Sequence, residues 1–247
     1  MPTEKVNLAA KPAQSVHACV FAAVLSSGVA CGGGGGAPAP AAPGAVPTPT
    51  PSSGPPTASQ LLAKMASCTQ VSNGLYATDA GLAPTVQVCG ANGAVWWRTD
   101  MDIDCDGVTT PECNPSADPA YQDDTSLHTS TGQPFNAATM PYVVIPSISS
   151  RFSYSGSNIE LGAVVAVIYN DKVEYGVFAD TGPASIIGEA SYAMATALGI
   201  NPDPATGGTD SGVSYLVFKG SQVSPVESHS SAVTLGQDLA RHFINDN

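Results

Sequence analysis

The segment Gly176-Val-Phe-Ala-Asp180-Thr-Gly-Pro-Ala-Ser-Ile-Ile-Gly-Glu189-Ala-Ser191 carries the clearest structural signal in the chain. It begins as an apolar strand that ends at Asp180. A Gly-Pro turn follows, and Glu189 stands at the predicted start of a helix. The segment therefore predicts two carboxylates held on fixed backbone at neighbouring ends of secondary structure.

Short runs of β-branched and aromatic residues surround this segment and are separated by Gly, Asn or Pro. The predicted strands are residues 85–88, 94–98, 142–145, 163–169, 172–179 and 214–218. Asn170-Asp171 predicts a two-residue hairpin turn between the last two strands before Asp180. Predicted helices cover residues 58–67, 189–198 and 237–244. The pattern indicates a mainly β domain with a few helices, for which a six-stranded closed barrel fits better than a sandwich.

The first quarter of the chain differs in composition from the rest. Residues 1–31 are typical of a signal peptide, with Lys5 and Lys11 ahead of a short apolar stretch and small residues before Cys31. Two interpretations stay open: secretion, or a lipid anchor on Cys31 at a bacterial cell surface. The apolar stretch is too short for a comfortable membrane span. Residues 32–59 predict a Gly/Pro/Ala/Ser/Thr linker, and residues 60–247 predict one domain, by default a monomer.

Cysteine content agrees with export. Beyond the leader, Cys68, Cys89, Cys105 and Cys113 form an even set that predicts two disulfides in an oxidising compartment. Three pairings are open, and the short loop favours Cys105–Cys113, with Cys68–Cys89 as the other bond. A zinc site is not expected, because the CxxC spacing is absent.

The chain is strongly acidic, with a formal net charge of −12. Such a surface repels nucleic acid and anionic membranes and attracts cations.

The alternating aspartates Asp102, Asp104 and Asp106 would present their carboxylates on one face of a strand. They predict a surface that binds amino-sugar cations. They also begin like a calcium loop, with Gly107 in place, but Cys113 stands where that loop needs Glu. We therefore predict no cofactor, with an irregular Ca²⁺ site at these three aspartates as the alternative.

Asp180 and Glu189 are the candidate catalytic residues. Burial at the end of an apolar strand would raise the pKa of a carboxyl and suit a general acid, which favours Asp180 as the acid. A helix dipole would keep Glu189 ionised as a general base. Two such carboxyls are what hydrolysis of a glycosidic bond requires. Trp97 and Thr181 complete the predicted substrate-binding surface, Trp97 as an aromatic platform.

Five motifs, in this order, resemble the fungal-type chitosanases of glycoside hydrolase family 75. They are Met101-Asp-Ile-Asp-Cys-Asp-Gly107, Tyr142-Val-Val-Ile-Pro146, Val177-Phe-Ala-Asp-Thr-Gly-Pro183, Ile187-Gly-Glu-Ala-Ser191 and Tyr215-Leu-Val-Phe218. The resemblance implies a double-psi-type β-barrel, an inverting mechanism and endo-hydrolysis of β-1,4-linked glucosamine in chitosan. It also implies that Asp180 and Glu189 are the two essential carboxylates.

Two other hypotheses stay open at this stage. One is a lytic transglycosylase that cleaves peptidoglycan with a single acid and releases an anhydro sugar. The other is a non-enzymatic, calcium-stabilised module that binds polysaccharide at the cell surface. Chitosan, a polycation when its amines are protonated, is the partner that best fits the acidic surface.

Overall fold

Six strands pair in a ring to make the body of the domain. The computed structural model describes residues 54–247, so the predicted leader, Cys31 and most of the predicted linker lie outside the described residues. The elements in chain order are α1 (Ala58–Lys64), β1 (Thr69–Gln70), β2 (Cys89–Ala91), β3 (Ala94–Asp104), β4 (Tyr142–Pro146), β5 (Val164–Tyr169), β6 (Lys172–Gly182), β7 (Glu189–Ser191), α2 (Tyr192–Leu198), β8 (Thr209–Phe218) and α3 (His229–Asp246).

Hydrogen bonding joins the strands in the order β3-β7-β4-β6-β5-β8, and β8 pairs back onto β3. This pairing closes the barrel and confirms the predicted six-stranded β-barrel. The pairs β3–β7 and β4–β6 are parallel, and the other four pairs of the ring are antiparallel. Strands β1 and β2 extend the sheet beyond β3. Closure leaves the barrel strands without free edges.

The side chains of each strand point alternately into and out of the barrel, and the apolar ones form two separate layers. One layer takes residues from all six barrel strands, among them Trp97, Val143, Phe178, Ala190 and Tyr215, and fills the interior. The other layer lies on the outer face, where α1 and α3 cover side chains such as Val164, Val177 and Leu216. Because successive side chains of a strand point to opposite faces, each strand serves both layers.

Local sequence explains how the helices and the tight turn begin and end. Thr57 and Gln60 form a reciprocal capping box at the start of α1. Ser191 caps α2, and Gly199 ends it in a left-handed conformation. Asn170, with φ of 53°, makes the predicted turn between β5 and β6, where Tyr169 pairs with Lys172. The helix predicted over residues 58–67 begins at Ala58 as expected, so residues 58 and 59, which the predicted domain boundary assigned to the linker, lie inside α1.

Three predicted elements need correction. Glu189 does not open a helix, because Glu189–Ser191 is strand β7 and the helix begins at Tyr192. Residues 85–88 do not form a barrel strand, and Val86 makes only an isolated bridge with Tyr76. Strand β7 takes the sixth place in the ring instead, because it pairs with both β3 and β4. The last helix begins at His229, earlier than predicted, with Ser228 as its cap.

Both favoured disulfides are present: Cys68–Cys89 and Cys105–Cys113. The first joins the chain after α1 to β2, and the second closes a short loop directly after β3. Among residues 54–247, none of the helices has the length and apolar character needed to cross a bilayer.

Candidate active site

A row of residues across four neighbouring strands brings the two candidate catalytic carboxylates to the same face. Asp102 of β3 pairs with Glu189 of β7, Glu189 pairs with Val144 of β4, and Val144 pairs with Asp180 of β6. Directly paired residues of a sheet project to the same side. Glu189 and Asp180 therefore flank Val144 on the outer face of the barrel.

A bulge in β6 puts Asp180 on this face. Val143 pairs with Phe178, but the next residue, Val144, pairs with Asp180, so Ala179 is the extra residue. Strict alternation would have sent Asp180 to the same side as Phe178, into the apolar interior. A β-bulge re-aims the side chains that follow it, and here it turns the carboxyl outward.

Asp180 is 2% exposed and is held by a loop that the sequence prediction did not include. Ser126 Oγ donates to Asp180 Oδ1 at 2.6 Å, and the Ser126 N–H donates to the same oxygen at 3.0 Å. The Thr181 N–H donates to it at 2.7 Å. Ser126 is 54 positions away in sequence, and no local pattern marks it.

Asp104 and Asp106 lie beside Asp180, and all three carboxyl groups are buried. One oxygen from each lies within 4.8 Å of the others. Asp104 Oδ1 accepts from the Asp106 N–H at 2.6 Å and from Tyr142 Oη at 3.2 Å. Asp106 Oδ1 accepts from the Gln122 N–H at 2.7 Å. We call these three residues the buried acidic cluster.

Tyr142 lies under the buried acidic cluster and was not predicted as a site residue. Its phenol donates to Asp104 Oδ1 and to the Asp106 carbonyl, at 3.2 and 3.1 Å. Complete burial, followed by the charges of Asp104, Asp180 and Asp106, raises the pKa of Tyr142 well above its usual value. The phenol therefore stays protonated and acts as a donor throughout the neutral range.

The three carboxylates that lie close together in the structure are not the three that were predicted for a calcium site. Asp102, Asp104 and Asp106 were the predicted ligands, whereas the carboxylates that approach one another closely are Asp104, Asp106 and Asp180. The bulge in β6 brings in Asp180, whereas Asp102 lies at the opposite end of the row, beside Glu189. Carboxylate oxygens are ligands that Ca²⁺ and Mg²⁺ prefer, so these three residues could hold such a cation.

Glu189 is half-buried and reaches across the neighbouring strand β4. A Cβ placed on Gly182 would lie 3.0 Å from Glu189 Oε2 and 3.1 Å from Val144 Cγ1. Because Gly182 has no side chain, the Glu189 carboxylate can occupy this space. Gly182 is two residues beyond Asp180 on β6, about 7 Å along the strand. The carboxyl groups of Asp180 and Glu189 therefore lie on one surface, on two strands that are not direct neighbours.

The other predicted binding residues fall in two different environments. Thr181 is half-buried beside Asp180, with its Oγ1 2.8 Å from Ser126 Oγ. Trp97 is fully buried in the barrel interior, stacked on Tyr215 with 5.3 Å between the ring centroids. An indole at that position has no face open to a sugar, because β3 turns Trp97 inward. Trp97 is therefore not part of the surface that carries Asp180 and Glu189.

Asp100 is a further buried carboxyl beside the row, and it was not among the predicted site residues. Thr99 Oγ1 donates to its Oδ1 at 2.7 Å, and that oxygen packs directly against Gly188, the residue before Glu189. Burial raises the pKa of Asp100 to about 7, and the nearby charges of Asp102 and Asp79 act in the same direction. Thr99 opposes the shift by hydrogen bonding.

This shift predicts a pH dependence of stability. In the unfolded chain Asp100 loses its proton near pH 4, whereas in the folded protein it keeps the proton up to about pH 7. The unfolded state binds fewer protons between these values, so stability contributed by Asp100 falls as pH rises from about 4 to about 7. Asp100→Asn removes this loss, and we expect its melting temperature to exceed that of the wild type by several degrees at pH 8 and to match it near pH 4.

The matched control is Asp210→Asn, which changes an exposed aspartate on β8. Melting curves of the three proteins at pH 4, 6 and 8 provide the measurement. A difference between Asp100→Asn and the wild type that stays constant with pH would contradict the assignment.

The closed β-barrel carries paired carboxylates on one face. Glycoside hydrolases use such a pair of carboxyl groups, so the fold and the site together indicate this class of protein. Residues 101–243 match the family described as fungal chitosanase of glycosyl hydrolase group 75. This match covers more than half of the chain, and the chain belongs to that family.

Several curated fungal proteins are similar to the chain. Endo-chitosanase B of Aspergillus oryzae (strain ATCC 42149 / RIB 40) is 33% identical over 138 residues, which are 53% of this chain and 57% of that protein. Endo-chitosanase of Aspergillus fumigatus is 29% identical over 141 residues, 52% of this chain and 59% of the relative. Endo-chitosanase C of Aspergillus oryzae is 34% identical over 126 residues, 49% and 30% of the two chains. The matched part thus spans little more than half the length of the first two relatives.

Proposed function

We propose that the protein is an endo-chitosanase that hydrolyses β-1,4 linkages between glucosamine residues of chitosan. The observation that carries this proposal is the placement of Asp180 and Glu189 on either side of Val144, on one face of the barrel. Family membership supports the same substrate class, since the family is described by its chitosanases. The reaction needs two carboxyl groups with a sugar unit between them.

The strand spacing supports an inverting mechanism. Neighbouring strands lie about 4.8 Å apart, so two residues on either side of a third strand are separated by about 10 Å at their Cα atoms. Glu189 reaches back toward Gly182, which shortens the distance between the carboxyl groups. Inverting glycosidases hold their carboxyl groups about 6.5–9.5 Å apart and leave room for a water molecule, whereas retaining enzymes need about 5 Å.

In the proposed reaction, Asp180 is the general acid and Glu189 the general base. Asp180 donates its proton to the glycosidic oxygen as the bond to the anomeric carbon breaks. Glu189 removes a proton from a water molecule whose oxygen bonds to the opposite side of that carbon. Glu189 is more exposed, as a base that must reach water should be.

The other acids near the catalytic pair supply the charge that binds substrate. Asp102 is half-buried next to Glu189 and can pair with a glucosamine ammonium group. Thr181 contributes a hydroxyl beside Asp180. Asp104 and Asp106 accept hydrogen bonds from Tyr142 and from the Gln122 N–H, so we assign them an electrostatic role beside Asp180. The net charge of −12 attracts a cationic polymer as a whole, and such attraction weakens with salt.

The two disulfides support export of the protein, because such bonds persist in oxidising compartments. We propose that it acts outside the cytoplasm, as a monomer.

Release of reducing ends from chitosan, chitin and cellulose in parallel tests the proposal. We expect rapid release from chitosan, little from the two neutral polymers, and a KM for chitosan that rises with ionic strength, because screening weakens binding to ammonium groups. Binding to chitosan without new reducing ends would point to a non-enzymatic module. Activity on peptidoglycan with an anhydro-sugar product would point to a lytic transglycosylase. Either result would overturn the proposal.

A further inference from the structure

Ser126 is exposed, yet its hydroxyl reaches a carboxyl that is almost completely buried. Its Oγ and N–H, together with the Thr181 N–H, place three donors on the single oxygen Oδ1 of Asp180. The 2.6 Å distance from Ser126 Oγ is that of a short O–H···O hydrogen bond. One edge of Asp180 is thus fully engaged by the protein.

The loop that carries Ser126 is itself held in place on both sides. Thr125, which is buried, donates through Oγ1 to the Leu127 carbonyl at 2.7 Å and accepts from the Phe135 N–H at 2.9 Å. The Leu127 N–H donates to the carbonyl of Ala179, the bulge residue before Asp180, at 2.9 Å. The loop therefore follows the bulge closely, and Ser126 keeps a constant position relative to Asp180.

Ser126 also contacts the residue after Asp180. Its Oγ accepts from the Thr181 N–H at 3.1 Å and lies 2.8 Å from Thr181 Oγ1. The hydroxyl hydrogen of Ser126 can serve one acceptor at a time, and the closest one is Asp180 Oδ1. The contacts on Oγ thus orient the hydroxyl toward the carboxylate.

We propose that Ser126 is a positioning residue of the reaction, which fixes the carboxyl group of Asp180 through its contacts with Oδ1. This inference rests on the proposed function. When Asp180 gives its proton to the glycosidic oxygen, negative charge develops on its carboxyl group, and Ser126 stabilises this charge through Oδ1. Ser126 itself gains and loses no atom.

Ser126→Ala tests this role because it removes the hydroxyl and keeps the backbone N–H. A hydrogen bond to a charged group accounts for about 10- to 100-fold in an equilibrium, and we expect kcat on chitosan to fall by about that factor with KM nearly unchanged. Ser126→Thr keeps the hydroxyl and should restore most of the activity.

Ser116→Ala is the matched control, an exposed serine of the same long connection between β3 and β4. The melting temperatures of all variants are measured alongside their kinetics. Normal kcat in Ser126→Ala, while Asp180→Asn is inactive, would overturn the positioning role and leave the proposed function standing. A loss of activity that only follows a fall in melting temperature, without rescue by Ser126→Thr, would also overturn it. If the wild type releases no reducing ends, both inferences fail.

Discussion

Asp180→Asn is expected to lower kcat/KM for chitosan by about 10²- to 10⁴-fold, the usual contribution of a general acid. An amide cannot donate the proton that the leaving oxygen needs. The fold should survive, because the amide oxygen can still accept from Ser126 and Thr181. The substitution also replaces one of three closely spaced carboxyl groups by an uncharged amide of the same shape. We therefore expect a melting temperature equal to or above that of the wild type.

Reducing-end release and melting curves measure the two expectations together. Asp123→Asn is the matched control, an exposed aspartate close to Ser126 in sequence, and it should keep full activity. Turnover of Asp180→Asn close to that of the wild type would remove Asp180 from the mechanism. A large fall in melting temperature would show instead that the carboxylate has a structural role.

Glu189→Gln is expected to cause a loss of similar size, about 10²- to 10⁴-fold, because the amide cannot take a proton from water. The side chain keeps its shape beside Gly182, so the strand pairs of β7 should persist. The chemical step should be lost while chitosan binding remains, since Asp102 and the rest of the acidic surface are unchanged. A reduced kcat with a nearly constant KM is the expected signature.

The stereochemistry of the wild-type product provides a separate check on Glu189. Proton NMR of the first products should show the α-anomer, formed from a β-linkage by inversion. Initial formation of the β-anomer would indicate a covalent intermediate and would contradict the role of Glu189 as a base. Full activity of Glu189→Gln with an anhydro-sugar product would favour the transglycosylase mechanism, which uses a single acid.

The secondary structure at Glu189 could not be predicted from its neighbours in the sequence. The run Ala190, Ala193, Met194 and Ala197 has helical spacing, and a helix was predicted from position 189. In the structure the first three residues form β7, because β3 and β4 offer hydrogen-bonding partners on both sides. Ser191 Oγ then caps the helix and also accepts from the Tyr142 N–H, which ties the strand end to β4. The dipole argument for Glu189 no longer applies, and pairing across the barrel positions it instead.

Patterns within a few residues were sufficient for most of the strands, the turn at Asn170, the disulfide partners and the acidic character of the surface, because each depends on neighbouring side chains or on loop length. Long-range pairing decided which strands closed the ring, that the bulge at Ala179 turned Asp180 outward, and that Ser126 and Tyr142 joined the site. Trp97 is an example of both. Its strand was predicted correctly from the sequence, but Trp97 is buried because barrel closure enclosed the face of the strand on which it lies. A strand's sequence specifies alternation, but only its partners establish which of its two faces meets solvent.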